Sequence, residues 1–164
     1  LGFEVAAVVA QESSEISCVL IPMNGGPLLL PNVCVAEILP WRRIKPHAGL
    51  PDWCLGILAW RGAEVPVVSF DCINNQDLHD DGAGRCMVVM NRTRLADGIP
   101  FYAFAATELP RMMQLADGDL SSVPGRLKRA EVAAVQLGTE TAIIPNLEVV
   151  ERSVTELAGD FQTP

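Results

Sequence analysis

Proline and glycine interrupt this chain at short intervals. Its 164 residues include 12 prolines and 13 glycines, and the segments between them are short runs rich in valine, isoleucine and leucine. Runs of this length and composition, bounded by turn-forming residues, are typical of short strands and too short for long helices. The sequence therefore predicts a mainly β protein built from many short strands.

The first half of the chain contains one well-marked hairpin. Cys54–Trp60 and Glu64–Phe70 are predicted strands, joined by a tight turn at Arg61-Gly62-Ala63. Pro66 has no N–H to give to a neighbouring strand, so we expect the second strand at a sheet edge or a bulge. The other elements of this half are the strands Ile16–Met23 and Leu28–Leu30 and the segment Val33–Leu39, which fits a strand or a short helical turn.

The pattern starts again after the polar segment Asn74–Gly84. Asp117–Arg129 is polar and is predicted to be irregular. Asn146 is a candidate N-cap for a closing helix over 146–159 that Gly159 ends. The apolar face of this helix should consist of Leu147, Val150, Val154 and Leu157. The predicted strands of this half are Cys86–Met90, Phe101–Thr107, Val132–Leu137 and Thr141–Ile144.

Segments of the first half recur in the second half in the same order. The pairs are Cys18–Asn24 with Cys86–Asn91, Glu37–Pro40 with Glu108–Pro110, and Gly62–Val68 with Gly138–Ile144. Such apolar runs can match by chance, but their common order favours an old duplication. We therefore expect one domain over 1–164 with two similar β halves, approximately 15–76 and 85–150. Two packed barrels or sandwiches would hide the strand edges.

Charge and hydropathy exclude several classes of protein. The net charge is −8, whereas nucleic-acid binding and docking on anionic membranes need a basic face. No apolar run approaches the ~20 residues that span a bilayer, and Glu4 interrupts the apolar N-terminal stretch without a preceding basic region. The five cysteines lack a C-x-x-C spacing, which favours buried thiols in a reducing cytoplasm.

No catalytic or cofactor-binding set can be identified from the sequence. The two histidines are His47, in a loop-like stretch, and His79, in an acidic loop. The acidic loop is conceivable as a metal site, but its spacing fits no calcium loop, and we interpret it as solvated. We therefore expect no enzyme and no cofactor. A thiol enzyme or small-ligand barrel that uses Cys54 or Cys86 with a histidine stays open as an alternative.

Charged residues inside the apolar pattern are the most distinctive local feature. Glu37 interrupts an aliphatic stretch, and Arg61 lies at the hairpin turn beside Gly62. The pair fits either a surface salt bridge at a hairpin tip or a recognition surface in which a charged pair is surrounded by aliphatic side chains. The basic stretch over 41–45 fits the rim of such a surface or a solvated loop.

The residues around this feature resemble the CheW-like domains of bacterial chemotaxis. The resemblance is carried by Val35-Ala-Glu37-Ile38, by Pro46 and Pro51, and by the stretch from Gly56 through Arg61-Gly62 to Val68. It covers roughly 16–71 closely and the rest, to about residue 152, more loosely. One departure is Ser69, which stands where the family usually has an acidic residue, with Asp71 two positions later.

The resemblance implies a mainly β fold of two intertwined five-stranded SH3-like barrels and no enzymatic activity. It implies an adaptor in the cytoplasm that ties the cytoplasmic tip of a chemoreceptor to a CheA-type histidine kinase. A hydrophobic groove between the subdomains would hold the receptor helix, and a separate face would meet the kinase. The partner-binding residues expected by position are Val35, Glu37, Ile38, Gly56, Leu58, Arg61, Gly62 and Val65. An alternative is a CheW-like regulatory domain cut out of a histidine kinase.

Overall fold

The computed structural model of the chain describes residues 15–75, 84–91 and 100–161. It contains strands, two α-helices and one 3-10 turn. The strands are β1 Glu15–Ile21, β2 Leu28–Pro31, β3 Val35–Pro40, β4 Cys54–Trp60, β5 Ala63–Val68, β6 Cys86–Met90, β7 Tyr102–Ala106, β8 Arg111–Ala116, β9 Leu120–Ser122, β10 Glu131–Leu137 and β11 Glu140–Pro145. The 3-10 turn is Asn32–Cys34, and the helices are α1 Phe70–Asn74 and α2 Leu147–Phe161.

The strands form two sheets. A six-stranded sheet has the order β8-β1-β2-β11-β10-β9, and a five-stranded sheet has the order β3-β6-β7-β5-β4. The expected mainly β class, with two SH3-like subdomains and a short C-terminal helix, is confirmed. The first sheet has six strands where five were expected, because the short β9 pairs with β10.

Each sheet takes strands from both halves of the chain. In the six-stranded sheet, β1 and β2 lie between β8 and β11; in the five-stranded sheet, β6 and β7 lie between β3 and β5. Both contain one parallel contact in the corresponding place, β2 with β11 and β7 with β5. When β9 is left out, β1, β2, β3, β4 and β5 correspond in order to β6, β7, β8, β10 and β11. Replacing each strand by its counterpart converts one strand order into the other. Each half of the chain therefore contributes its first two strands to the sheet that contains the remaining strands of the other half.

The main core lies between the two sheets and is closed by α2. Val19 and Ile21 face it from the six-stranded sheet, and Val88 and Phe104 face it from the five-stranded sheet. A separate smaller core fills each barrel. The predicted apolar face of α2 is confirmed: Val150, Val154 and Leu157 are buried in the main core, and Leu147 packs against it. The helix continues past the predicted end at Gly159, to Phe161.

Helix α1 was not predicted, and it links the two sheets. Ser69 caps it by accepting a hydrogen bond from the Cys72 N–H at 3.3 Å. The buried carboxylate of Asp71 accepts hydrogen bonds from the N–H groups of Asn24 and Gly25, at 3.1 and 3.2 Å, in the β1–β2 turn. The acidic side chain that follows the capping Ser69 therefore fixes a turn of the other sheet.

Two local predictions need correction. Pro66 does not lie at an edge, because β5 is inside its sheet; its contact with β7 involves only Val67 and Val68, downstream of the proline. The ladder irregularity lies in the partner strand β4, between Cys54 and Gly56. The segment Asp117–Arg129 is not wholly irregular, since β9 forms within it.

Two other predictions lie outside the described residues. The acidic loop around His79 and most of the polar segment Asn74–Gly84 fall in 76–83. Within the part of the chain that the structure covers, no helix has the length and apolarity needed to cross a membrane.

Candidate functional site

Arg61 and Glu37 join the two edge strands of the five-stranded sheet. Nη2 of Arg61 lies 2.9 Å from Oε1 of Glu37, which stands on β3. Nε1 of Trp60, at the end of β4, donates to Oε2 of the same carboxylate at 3.4 Å. The Arg61 guanidinium also lies over the Trp60 ring, 4.9 Å from its centroid. One carboxylate therefore receives donors from two successive residues, while 69% of the Arg61 side chain stays exposed.

The turn geometry explains why Arg61 points away from the sheet. Arg61 has φ of +48° and Gly62 has φ of +76°, so both central residues of the hairpin are left-handed. Two positive φ angles match the twist of the flanking strands, and only the second position here is a glycine. Among the described residues, Arg61 is the only non-glycine with positive φ. Such a conformation costs about 1–2 kcal/mol in an L-residue, and the contacts with Glu37 and Trp60 offset part of that cost.

Two aliphatic members of the expected contact set, Val35 and Ile38, lie on β3 and face away from Glu37. Val35 and Ile38 pack against the main core and are only partly buried, whereas Glu37 faces the barrel that holds Trp60. A register shift between Val35 and Glu37 allows both arrangements on one short strand. The structure thus brings Glu37, Arg61 and Gly62 together and leaves Val35 and Ile38 on the opposite face of β3.

Leu58 and Val65 lie inside the barrel. They are opposite one another in the β4–β5 ladder, with 1% and 0% of their surface exposed. Their side chains are therefore not available to a partner in this structure. They support the hairpin that carries Arg61.

Gly56 acts through the backbone that passes beside it. A Cβ at Gly56 would stand 2.9 Å from the carbonyl oxygen of Lys45 and 3.1 Å from the Ile44 side chain. Its φ of +155° also disfavours other residues. Gly56 therefore permits the 44–45 segment to lie against β4.

A second surface feature was not found from the sequence. A cavity of about 350 Å³ opens beside the edge of the six-stranded sheet, and Met112 there is 56% exposed. Val33, 82% exposed, follows Asn32 of the cavity wall. The wall consists of Ser17, Cys18, Asn32, Met112, Met113 and Gln114. The sequence did not predict this cavity, because β8 was not predicted and because its partner strand β1 lies nearly one hundred residues earlier in the chain.

Three of the five thiols sit in environments that disfavour the thiolate. Burial raises the pKa of Cys18, of Cys34 and of Cys54. For Cys54, hydrogen bonding to backbone groups opposes part of that effect. Among the described residues there is no group of three or more histidine, cysteine, aspartate or glutamate side chains that could hold a metal ion.

Comparisons with known proteins agree with this architecture. The family model for the CheW-like domain matches residues 17–154. A search of curated proteins found no match. The fold is similar to the crystal structure of the scaffolding protein TtCheW from Thermoanaerobacter tengcongensis, with a TM-score of 0.63 and 13% sequence identity over 79% of this chain and 88% of that one. The chain belongs to the CheW-like domain family.

Proposed function

We propose that this protein is a non-enzymatic chemosensory adaptor of the cytoplasm that couples a chemoreceptor to a CheA-type histidine kinase. The observation that carries the proposal is the Glu37–Arg61 pair, which presents an exposed guanidinium on the β4–β5 turn, between the two edge strands of the five-stranded sheet. A fixed charge next to aliphatic side chains defines the register of a docked partner.

The kinase-binding surface in this proposal consists of β3 and the β4–β5 turn. Val35 and Ile38 supply partly exposed apolar area, while Glu37 and Arg61 supply charge. Gly62 adds no second side chain to the turn beside Arg61. Gly56, Leu58 and Val65 contribute by supporting this surface, since none of the three is exposed.

The receptor-binding surface in this proposal is the cavity beside β8. Met112 and Met113 give it an apolar lining, and Ser17 and Gln114 give it hydrogen-bonding groups. Val33, next to Asn32 of the wall, adds an exposed apolar side chain beside it. Such a surface suits the apolar face of an amphipathic helix, and methionine adapts its shape to the partner. Two separate surfaces would let one molecule hold both partners.

The test is a pull-down of the kinase regulatory domain and of a receptor cytoplasmic fragment from the same organism. Arg61→Ala should weaken association with the kinase domain while the protein stays folded. Arg61→Asn should do the same and isolates the charge, because asparagine tolerates positive φ.

Arg152→Ala provides a matched control. Arg152 also pairs with one glutamate, and its side chain is likewise 69% exposed, but it lies on α2, away from the hairpin. Unchanged recovery of the kinase domain with Arg152→Ala is expected. Equal recovery with both Arg61 variants would remove Arg61 from the binding surface, and failure of the unmodified protein to bind either partner would contradict the proposed function.

A further inference from the structure

Three exposed cations follow β3 in a segment that the Glu37–Arg61 pair does not use. Residues 41–45, Trp-Arg-Arg-Ile-Lys, are called the basic segment below. Arg42, Arg43 and Lys45 are all exposed, and in the described part of the chain no carboxylate lies within 4 Å of them. This is unexpected in a protein with a net charge of −8, where acidic neighbours are abundant.

The backbone of the basic segment is fixed to the sheet. Lys45 and Ile57 exchange two hydrogen bonds, of 2.8 and 2.9 Å, so the segment extends the edge of the five-stranded sheet beyond β4. Ile44 packs against the core of this barrel. A side chain at position 56 would collide with Ile44 and with the Lys45 carbonyl, so Gly56 leaves the space that both need.

Trp41 fixes the other end of the segment. The backbone N–H of Trp41 donates to the carbonyl of Arg85 at 3.0 Å. The Trp41 ring occupies the space that a Cβ on Gly84 would need. Arg85 adds a fourth exposed cation beside the segment, with a long contact of 3.7 Å to Glu108. Two glycines and two partly buried apolar side chains thus hold a group of solvent-facing cations in one place.

The segment is continuous with the proposed kinase-binding surface. It begins directly after β3, which carries Glu37, and its bridge to Ile57 lies on the same strand as Trp60. A second cationic stretch, residues 126–129, differs in its place, because it lies between β9 and β10 of the six-stranded sheet and not beside β3. The basic segment is therefore the cationic group that a partner docked at Glu37 and Arg61 would meet.

We infer that the basic segment is a docking surface for an acidic segment of the protein that binds at Glu37 and Arg61. The inference rests on the proposed function and names the chemistry of its kinase-side partner, which carries clustered carboxylates facing Arg42, Arg43 and Lys45. Charges at the rim of an interface act on the association rate and its salt dependence more than on the lifetime of the complex. The fixed backbone reduces the conformational entropy lost on binding.

The experiment measures association kinetics of the kinase regulatory domain with the unmodified protein and with the triple variant Arg42→Gln, Arg43→Gln, Lys45→Gln. The association rate should fall about tenfold in the variant at ~0.1 M salt, and the difference should disappear near ~1 M, where the Debye length is only about 3 Å. The dissociation rate should change little.

The matched control is Arg126→Gln, Lys128→Gln, Arg129→Gln, which changes the net charge equally. It should leave the association rate within about twofold of the unmodified protein, since it removes charge from a different surface. Both variants should stay folded, because the replaced side chains are exposed. Circular dichroism and thermal melting check this.

Four results would overturn the inference. Equal slowing by both triple variants would assign the effect to net charge, and no slowing by the basic-segment variant would remove this surface while the proposed function stands. Binding of the unmodified protein to vesicles with an anionic phospholipid, lost in the basic-segment variant while kinase association is unchanged, would assign the segment to lipid. Absence of kinase binding by the unmodified protein would overturn the inference and the proposed function together.

Discussion

Arg111 holds Glu140 by both carboxylate oxygens, with Nη2 at 2.8 and 2.7 Å. The pair joins β8 to the β10–β11 hairpin. Under the exchange of halves that relates the two sheets, these elements correspond to β3 and the β4–β5 hairpin, which Glu37 and Arg61 join. The two barrels are therefore closed by ion pairs of opposite polarity: the strand carries the acid in one and the base in the other.

Arg111→Ala should lower the free energy of unfolding by about 0.2–1 kcal/mol, because an exposed pair contributes little in water. The doubly reversed protein, Arg111→Glu with Glu140→Arg, should recover most of the loss. Urea unfolding measures both. A loss of several kcal/mol, or no recovery in the double variant, would mean that other contacts of Arg111 dominate.

Asp71→Ala should destabilise the fold by about 1–3 kcal/mol, the usual consequence of leaving partly buried N–H groups without an acceptor. The N–H groups affected belong to Asn24 and Gly25. Gly25→Ala should also be destabilising, because the new Cβ would stand 2.7 Å from Oδ1 of Asp71. Since both variants disturb one contact, their combination should cost less than the sum, as measured by a double-mutant cycle. Strict additivity would contradict this account.

Gly56→Ala should displace the segment over 44–45 from β4. The Lys45 carbonyl would lie 2.9 Å from the added Cβ, and backbone cannot retreat as easily as the end of a flexible side chain. Overpacking of this kind costs about 1–3 kcal/mol. Hydrogen exchange should show faster exchange at the Lys45 and Ile57 amides. Gly118→Ala, at a turn with open space but positive φ, is the control for backbone strain alone. Unchanged protection at both amides would contradict the packing argument.

Thiol labelling should be slow in the folded protein. Burial raises the pKa of Cys18, Cys34 and Cys54 above the ordinary value of 9.0, so little reactive thiolate exists near neutral pH. Partly exposed Cys34 should react before buried Cys18 and Cys54. A chromogenic disulfide reagent measures the rates, and a fast thiol at neutral pH would revive the alternative of a thiol enzyme.

The same thiols predict a dependence of stability on pH. Their pKa values are higher in the folded than in the unfolded state, so above pH 9.0 the unfolded chain releases protons that the folded chain keeps. Their contribution to the free energy of unfolding is therefore complete below this pH and is lost as the pH rises further. Replacing Cys54 with alanine should flatten the alkaline part of the stability curve measured by urea unfolding.

Local signals in the sequence were sufficient where turn residues bound a strand. The bounds of β4 and β6 were predicted correctly, since Arg61-Gly62 ends the first and polar residues flank the second. Strand β8 was missed because its sequence, Arg-Met-Met-Gln-Leu-Ala, has no β-branched residue. Helix α1 was missed because it has only five residues and its first, Phe70, was assigned to the preceding strand.

Long-range geometry could only be expected from the resemblance. The charged residues at Glu37 and Arg61 were noticed because they interrupt an aliphatic pattern, but the shared carboxylate with Trp60 depends on strands that meet around a barrel. The cavity at Met112 depends on β1 and β8 pairing across the whole chain. Burial of Leu58 and Val65 follows from strand alternation, yet which face points inward depends on the closure of the barrel.

The exchange of strands has a consequence for damage to the backbone. The chain passes between the two sheets twice, once at the 3-10 turn between β2 and β3 and once between β7 and β8. A single proteolytic cut at either passage leaves the sheets covalently joined through the other. Two consecutive domains on one linker would come apart after one such cut, whereas this molecule needs two.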